Sequence, residues 1–392
     1  MAVSSESSCQ TCRSPLSLGL WVIAAVLGGL GLYQRLVHGE QAADFSSYVP
    51  WGLWVAAYIY FSGLSAGAFL LAAAAYALKI KVLEPIARLC LLIALVTLLM
   101  GLLAIGLDLG HLERAVLVFI RPQFHSMMTW MVWLYSAYLV LLLAMLMRGS
   151  PNASSNLRGL GLLGIFLALG FAGGVGALFG TVAAREYWHT SLYPIFFMVG
   201  ALTSGIALVT AYVAWLWPAR DAAWRELLIL LGRIVLSLVL IEFVMEIAEY
   251  LVPAWYGIGS GYDLVVYTLF GPYWYVFWVF HLLLGVAAPV ALLALRRDPG
   301  GIGLATALIA VMFMAVRLNL VIPGLITPEI QGLAEAYSDP VGGKLSFLYL
   351  PTWFEWQIVI GIVAAGVALW FVGMRLFPRI LPDSSQSSEV RS

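Results

Sequence analysis

Ten times along this chain of 392 residues an apolar run reaches the roughly 20 residues a helix needs to cross about 30 Å of hydrocarbon. The runs lie at Leu16–Tyr33, Trp51–Leu78, Ile86–Leu107, Phe124–Met147, Leu157–Thr181, Leu192–Leu216, Leu227–Val252, Phe270–Leu295, Ile302–Ile322 and Trp353–Phe377. Strand-period alternation is absent, which argues against a barrel. The chain reads as an all-α polytopic membrane protein. A 62% hydrophobic and 10% charged composition agrees, since soluble domains carry far more charge. Zero net charge offers no field to attract nucleic acid.

Lysine and arginine set the expected orientation. With the N-terminus inside, the cytoplasmic segments hold 13 of them, from Arg13, Lys79, Lys81 and Arg88 to Arg379 and Arg391. The outer loops hold Arg35, Arg114, Arg121, Arg185 and Lys344, while Arg233 and Arg317 fall within spans. This bias predicts both termini in the cytoplasm. A cleaved signal peptide is the alternative for the first span, because Ala42 and Ala43 follow it. A single preceding arginine and the polar stretch through Gly39 and Glu40 favour an uncleaved helix.

The expected organisation is a cytoplasmic tail (1–15), a peripheral first helix (16–37), a four-helix bundle (50–181), a second one (190–322), an outer loop (323–352), a last helix (353–377) and a second cytoplasmic tail (378–392). Gly63 and Gly67, with Ser62 and Ala66, give the second span a small-residue face for close helix packing. Gly200 and Ser204 repeat that spacing in the sixth.

Cys9 and Cys12 form a CxxC on the tail and Cys90 lies in a span, too few for a zinc or iron–sulfur site. Only His281 is deep in a span, so paired haem ligands are not expected. It reads as a hydrogen-bonded core residue.

The ionisable side chains inside the spans gather in the outer half. Asp108, His111, Glu113, Arg114 and His125 cluster where the third run ends and the fourth begins. Glu242, Glu246 and Glu249, at offsets of four and seven, share one stripe of the seventh span, where carboxyls are expensive unless they face a cavity or partner. Arg317, in the ninth span, needs a carboxylate or ligand; those glutamates and Glu355 are candidates. These groups predict a polar pocket near the outer face.

DLGHLERAVLVFIRPQFHSMMTW resembles the DLGRPERF and S-M-S-W motif segment of the NrfD/PsrC superfamily of quinone-interacting integral membrane subunits. VRLNLVIPG followed by YLPTWFEW resembles the end of its ten-span, HybB/DsrP-like branch, and PWGLWVAAYIYFSGLSAG its opening span. His111 and Leu112 depart from the Arg-Pro of many relatives, and the acid stripe of the seventh span stands where relatives often have an arginine followed by an acid.

The resemblance implies a subunit of a respiratory oxidoreductase in the inner membrane, without haem or iron–sulfur cluster of its own. Menaquinone or ubiquinone would bind near the outer face and exchange electrons with an extracytoplasmic four-cluster ferredoxin-like protein. A further catalytic or multihaem cytochrome subunit is expected beside it. On that basis His111 or His125 would hydrogen-bond a quinone oxygen, because imidazole titrates near working pH. Asp108 and Glu113 would take protons and Arg114 would stabilise negative charge. Tyr58, Ser126, Trp130, Tyr193, Arg317 and Asn319 would line the quinone site, and Glu242, Glu246, Glu249 and Glu355 would relay protons. Two other readings fit ten spans with buried acids less well: a proton-coupled transporter, which calls for ionisable groups on both sides, and an anchor that binds no quinone.

Overall fold

The structure, a computed structural model, describes residues 15–148, 154–328, 330, 332–333, 346–377 and 380–381. Cys9, Cys12, Lys344 and most of the last tail lie outside the described residues. Among the described residues there is no strand, and ten helices are long and apolar enough to cross a membrane. The chain is a multi-pass integral membrane protein.

The helices are α1 (Pro15–His38), α2 (Leu53–Tyr76), α3 (Ala87–Asp108), a short α4 (Leu117–Ile120), α5 (Met127–Arg148), α6 (Ser154–Gly180), α7 (Tyr193–Leu216), α8 (Ala222–Tyr256), α9 (Ser260–Phe270), α10 (Ala288–Leu295), α11 (Pro299–Ile326) and α12 (Trp353–Leu376). A π-helical segment, Val276–Ala287, runs directly into α10. Its last turn is closed by Ala288 N–H on Leu283 O, five residues back. Pro289, just beyond, has no N–H with which to pull the chain back to α spacing.

Close helix approach organises the interior. Without a hydrophobic driving force between helices in lipid, small residues let backbones touch. A Cβ on Gly67 would lie 2.0 Å from Ala201 O, and one on Gly205 would lie 2.6 Å from Gly67 Cα. The small-residue faces of α2 and α7 are thus the seam between the two halves. On one side α2, α3, α5 and α6 pack together; on the other α7, α8, α10 and α11 do. α1 is peripheral and rests on α12, where Gly28 meets Gly361 backbone to backbone.

Alternate helices bring Asp108, the start of α5, Tyr193, the end of α8 and Trp353 to one end of the molecule, here the Asp108 end. The opposite end carries Arg148 and both ends of the described chain. Arg35 ties α1 to the Asp108 end: its Nε donates to Leu107 O (2.7 Å) and its Nη2 to Leu109 O (2.8 Å). Those carbonyls lie at the end of α3 and on the residue that follows it, where a cation also complements the helix dipole.

Candidate functional site

α8 is a 35-residue helix, about 52 Å long at 1.5 Å per residue, so it reaches past the Leu227–Val252 run read from sequence. Near its end Pro253 removes the N–H that would bond Glu249 O, leaving that carbonyl free of its helical partner. Gly257 then ends the helix in the left-handed region (φ 64°), with its N–H on Pro253 O. Gly259, also left-handed (φ 84°), turns the chain into α9, which packs back on α8 and α11. That reversal roofs a cavity of about 610 Å³ between the start of α7, the end of α8 and α9.

The polar lining of the cavity comes from the 186–193 loop and the end of α8. Tyr187, Tyr193 and Glu249 share it, with Phe196, Met245, Leu264 and Val265 among the apolar walls. Tyr193 is 1% exposed. It stands next to Glu249, yet neither its hydroxyl nor Glu249 Oε1 closes a hydrogen bond within the protein. Buried polar atoms are seldom left so. Burial holds the Tyr187 hydroxyl well above the usual phenol range, and Tyr193 and Glu249 beside it push it further. It stays a protonated donor.

The loop is fixed from the far side. Trp188 Nε1 donates to Leu320 O (3.0 Å), and Arg185 Nη1 donates to Leu325 O (3.2 Å). Gly324 makes room for the indole, since a Cβ there would lie 2.4 Å from Trp188 Nε1.

Toward the bilayer centre, the next two acids of the stripe enter a second, tighter cluster. Glu246 Oε2 lies 3.1 Å from His281 Nε2, and Asn319 Nδ2 lies 3.2 Å from His281 Nδ1. With the Asn319 amide donating to Nδ1, Nε2 carries the ring proton and donates to Glu246. Arg317 is 1% exposed, held between the rings of Phe197 and Phe313 at 4.8 Å from each. Glu242 and Arg317 meet over Gly200: a Cβ there would lie 2.8 Å from Glu242 Oε1 and 2.5 Å from Arg317 Nη2. A closed space of about 20 Å³ separates Glu242, Glu246 and His281. The core reading of His281 is met, with an acid as its partner.

The other residues singled out in the sequence lie elsewhere. His111 and Glu113 pair at 2.9 Å, but both are exposed, by 61% and 70% of their side chains. Arg114 and His125 are exposed as well, and none of the four lines the cavity. A hydrogen bond from its own backbone N–H, then His111, hold the Glu113 carboxyl below its ordinary range. Ser126 helps turn the chain into α5 through its backbone, accepting from Thr129 N–H at 3.2 Å. Trp130 Nε1 donates to Phe124 O (2.8 Å). Tyr58 shares a buried hydroxyl bond with Tyr135 (2.8 Å), in the other half of the molecule.

Asp108 sits near Arg35, Glu40 and Glu355, with Oδ1 buried and unpartnered. Glu355 is fully buried and closes a capping box with Thr352 at the start of α12. Its carboxylate also accepts from Tyr349 Oη and, at 3.2 Å, from Asp44 N–H. Burial and this carboxylate push the Tyr349 hydroxyl up. Sequence reasoning misses three groups: Arg35, Tyr250 beside Glu249, and Thr203 against Glu242. Arg35 reads as a loop charge, and the other two carry no spacing signal.

Among the described residues no three His, Cys, Asp or Glu side chains gather where they could hold a metal ion.

Comparison with known proteins gives the family. The family model "Polysulphide reductase, NrfD" matches residues 42–329. A selenate reductase subunit of Mesobacillus selenatarsenatis is 32% identical over 397 residues, covering 90% of this chain and 92% of that protein. The Hdr-like menaquinol oxidoreductase integral membrane subunit of Archaeoglobus fulgidus is 30% identical over 95% of each. The menaquinone reductase integral membrane subunit of Nitratidesulfovibrio vulgaris is 23% identical over 96% of this chain and 95% of that protein. From residues 42 to 329 at the least, and by similarity over almost its whole length, this chain belongs to the NrfD polysulphide reductase family of integral membrane subunits.

Proposed function

We propose that the chain is the quinone-reactive membrane subunit of a respiratory oxidoreductase in the cytoplasmic membrane, with its Asp108 end outside and both termini inside. The observation that carries this is the cavity beside Tyr193 and Glu249. At about 610 Å³ it has the size of small-molecule sites, which are mostly apolar with a few convergent polar groups. Its buried unpartnered hydroxyl and carboxylate oxygen fit a ring oxygen that accepts one hydrogen bond and exchanges a proton.

A bound quinol supplies two electrons and two protons as it becomes quinone. Tyr193 and Tyr187 donate to the oxygen at the polar edge and fix its position, Glu249 takes or gives that oxygen's proton, and the proton of the ring's second oxygen exchanges with water at the mouth of the cavity. Glu246 and Glu242 continue the acid stripe one and two turns deeper, and His281 orients Glu246 by its Nε2–H. Phe196, Met245 and Leu264 keep bulk water from the ring. The electrons pass to an extracytoplasmic iron–sulfur protein, of the four-cluster ferredoxin type. It docks on the exposed rim of His111, Glu113, Arg114 and His125, with a further catalytic or multihaem subunit beyond it. Asp108 stands behind that rim, near Arg35 of α1.

The test is Tyr193→Phe and Glu249→Gln in the purified complex, followed by extraction and quantification of bound quinone. Tyr193→Phe should lose about tenfold in quinol-dependent electron transfer, on the order of one hydrogen bond, and Glu249→Gln about a hundredfold, on the order of one proton-transfer group, with partner subunits still copurifying. Wild-type turnover and quinone content in both would end the assignment.

A further inference from the structure

The two deeper acids of α8 face a small enclosed space. Glu246 follows Glu242 by four residues, so the pair stands on one helical face about 6 Å apart along the axis. Both are more than nine-tenths buried, at a depth where lipid cannot solvate them. One oxygen of Glu246 lies 3.1 Å from His281 Nε2, and Glu242 Oε1 meets no donor within the protein. The closed space of about 20 Å³ beside them is walled by Val239, Phe313 and Val316, and Gly285 brings no side chain to fill it.

Its size and chemistry admit one kind of guest. A single water needs roughly 10–15 Å³ of such room and two to four polar partners, so the space holds one water and no larger molecule. A cavity lined only by hydrocarbon stays dry, but here an unpartnered carboxyl oxygen belongs to the lining. The spacing agrees. Two hydrogen bonds of about 2.8 Å laid end to end match the helical rise between the two acids, whereas one direct bond between carboxyls would not span it. We infer that the space between Glu242, Glu246 and His281 is a binding site for one water molecule, which joins the two acids into a single proton-sharing pair. The acid that holds the proton donates to the water oxygen, and the water donates to the other acid. One proton moves when the first acid passes its hydrogen to the water as the water gives one of its own to the second. The water is left unchanged and no other reactant is needed. His281 borders the same space from the π-helical segment, and Arg317 approaches Glu242 from the side of Gly200.

The test is an electron cryomicroscopy map of the purified complex at a resolution where ordered waters appear. One density peak is expected within hydrogen-bond distance of both Glu242 Oε1 and Glu246. Val239→Ile and Val316→Ile each push a methyl group into the space from a different wall and should remove that peak, while Tyr193→Phe at the larger cavity should leave it. Infrared spectra give a second readout: the wild-type-minus-isoleucine difference should contain an O–H stretch that shifts in oxygen-18 water. A wild-type map that shows other buried waters but no peak here overturns the inference. So does a peak ringed by several carboxyl and carbonyl oxygens at cation distances, or a difference spectrum without an isotope-shifted band. The inference stands on this geometry alone, so it can fail while quinone binding at the larger cavity holds, and the reverse.

Discussion

His281 holds its ring between an amide and an acid in the middle of a π-helical turn, and each neighbour does a different job. Asn319 fixes the tautomer; Glu246 accepts the proton that results. Glu246→Ala would strand Nε2–H in an apolar interior, so a loss of about 1–3 kcal/mol is expected, read as a lower unfolding temperature in detergent. Glu246→Gln keeps an acceptor oxygen and should retain most of that stability while losing the titratable group. The exposed pair at the rim behaves differently. Glu113 is held below its ordinary range, so its contribution is present above the usual carboxylate pKa and lost as pH falls through the lowered one. Backbone hydrogen exchange in the 109–116 turn should therefore speed up in acid, while overall stability stays flat, because exposed pairs contribute little. Glu242 and Glu246 are legible as buried from spacing alone, because helical periodicity fixes which residues share a stripe. His111 and His125 illustrate the opposite case: a polar cluster at a membrane edge looks the same in sequence whether it lines a cavity or faces water.

At the scale of the element, the seam between α2 and α7 is the most exacting feature. Gly67→Ala puts a methyl group where Ala201 O already lies, and overpacking of that kind costs about 1–3 kcal/mol. The expected outcome is a marked fall in unfolding temperature, whereas alanine at Gly29, which has open space around it, should change little. This seam could be read from GlySerAla spacing, because close backbone approach leaves a compositional trace. The fold of α9 onto α8 leaves none: it follows from Pro253, Gly257 and Gly259 acting together. The π-helical turns are equally silent in sequence, since their hydrophobic pattern suits an α-helix as well.

For the molecule as a whole, the sidedness of the charges predicts that the Asp108 end faces outward. In a chain with Cys9 and Cys12 changed to serine and produced without its partner subunits, His125→Cys should react with a membrane-impermeant maleimide added to intact cells, and Arg148→Cys should react only after permeabilisation. The reverse pattern would invert the proposed complex. Span number and class were plain in the sequence because hydrocarbon thickness imposes them. Where the cavity beside Tyr193 and Glu249 would lie was not, because that depends on how one chain reversal packs.

The bolting of the 186–193 loop to α11 carries a mechanical consequence. Trp188 and Arg185 grip the same helix that bears Arg317 and Asn319. A change of charge in the deep cluster that slides or tilts α11 therefore drags the tyrosines of the upper chamber with it. The two chambers are geared together by one rod, with no need for an unbroken file of hydrogen bonds between them.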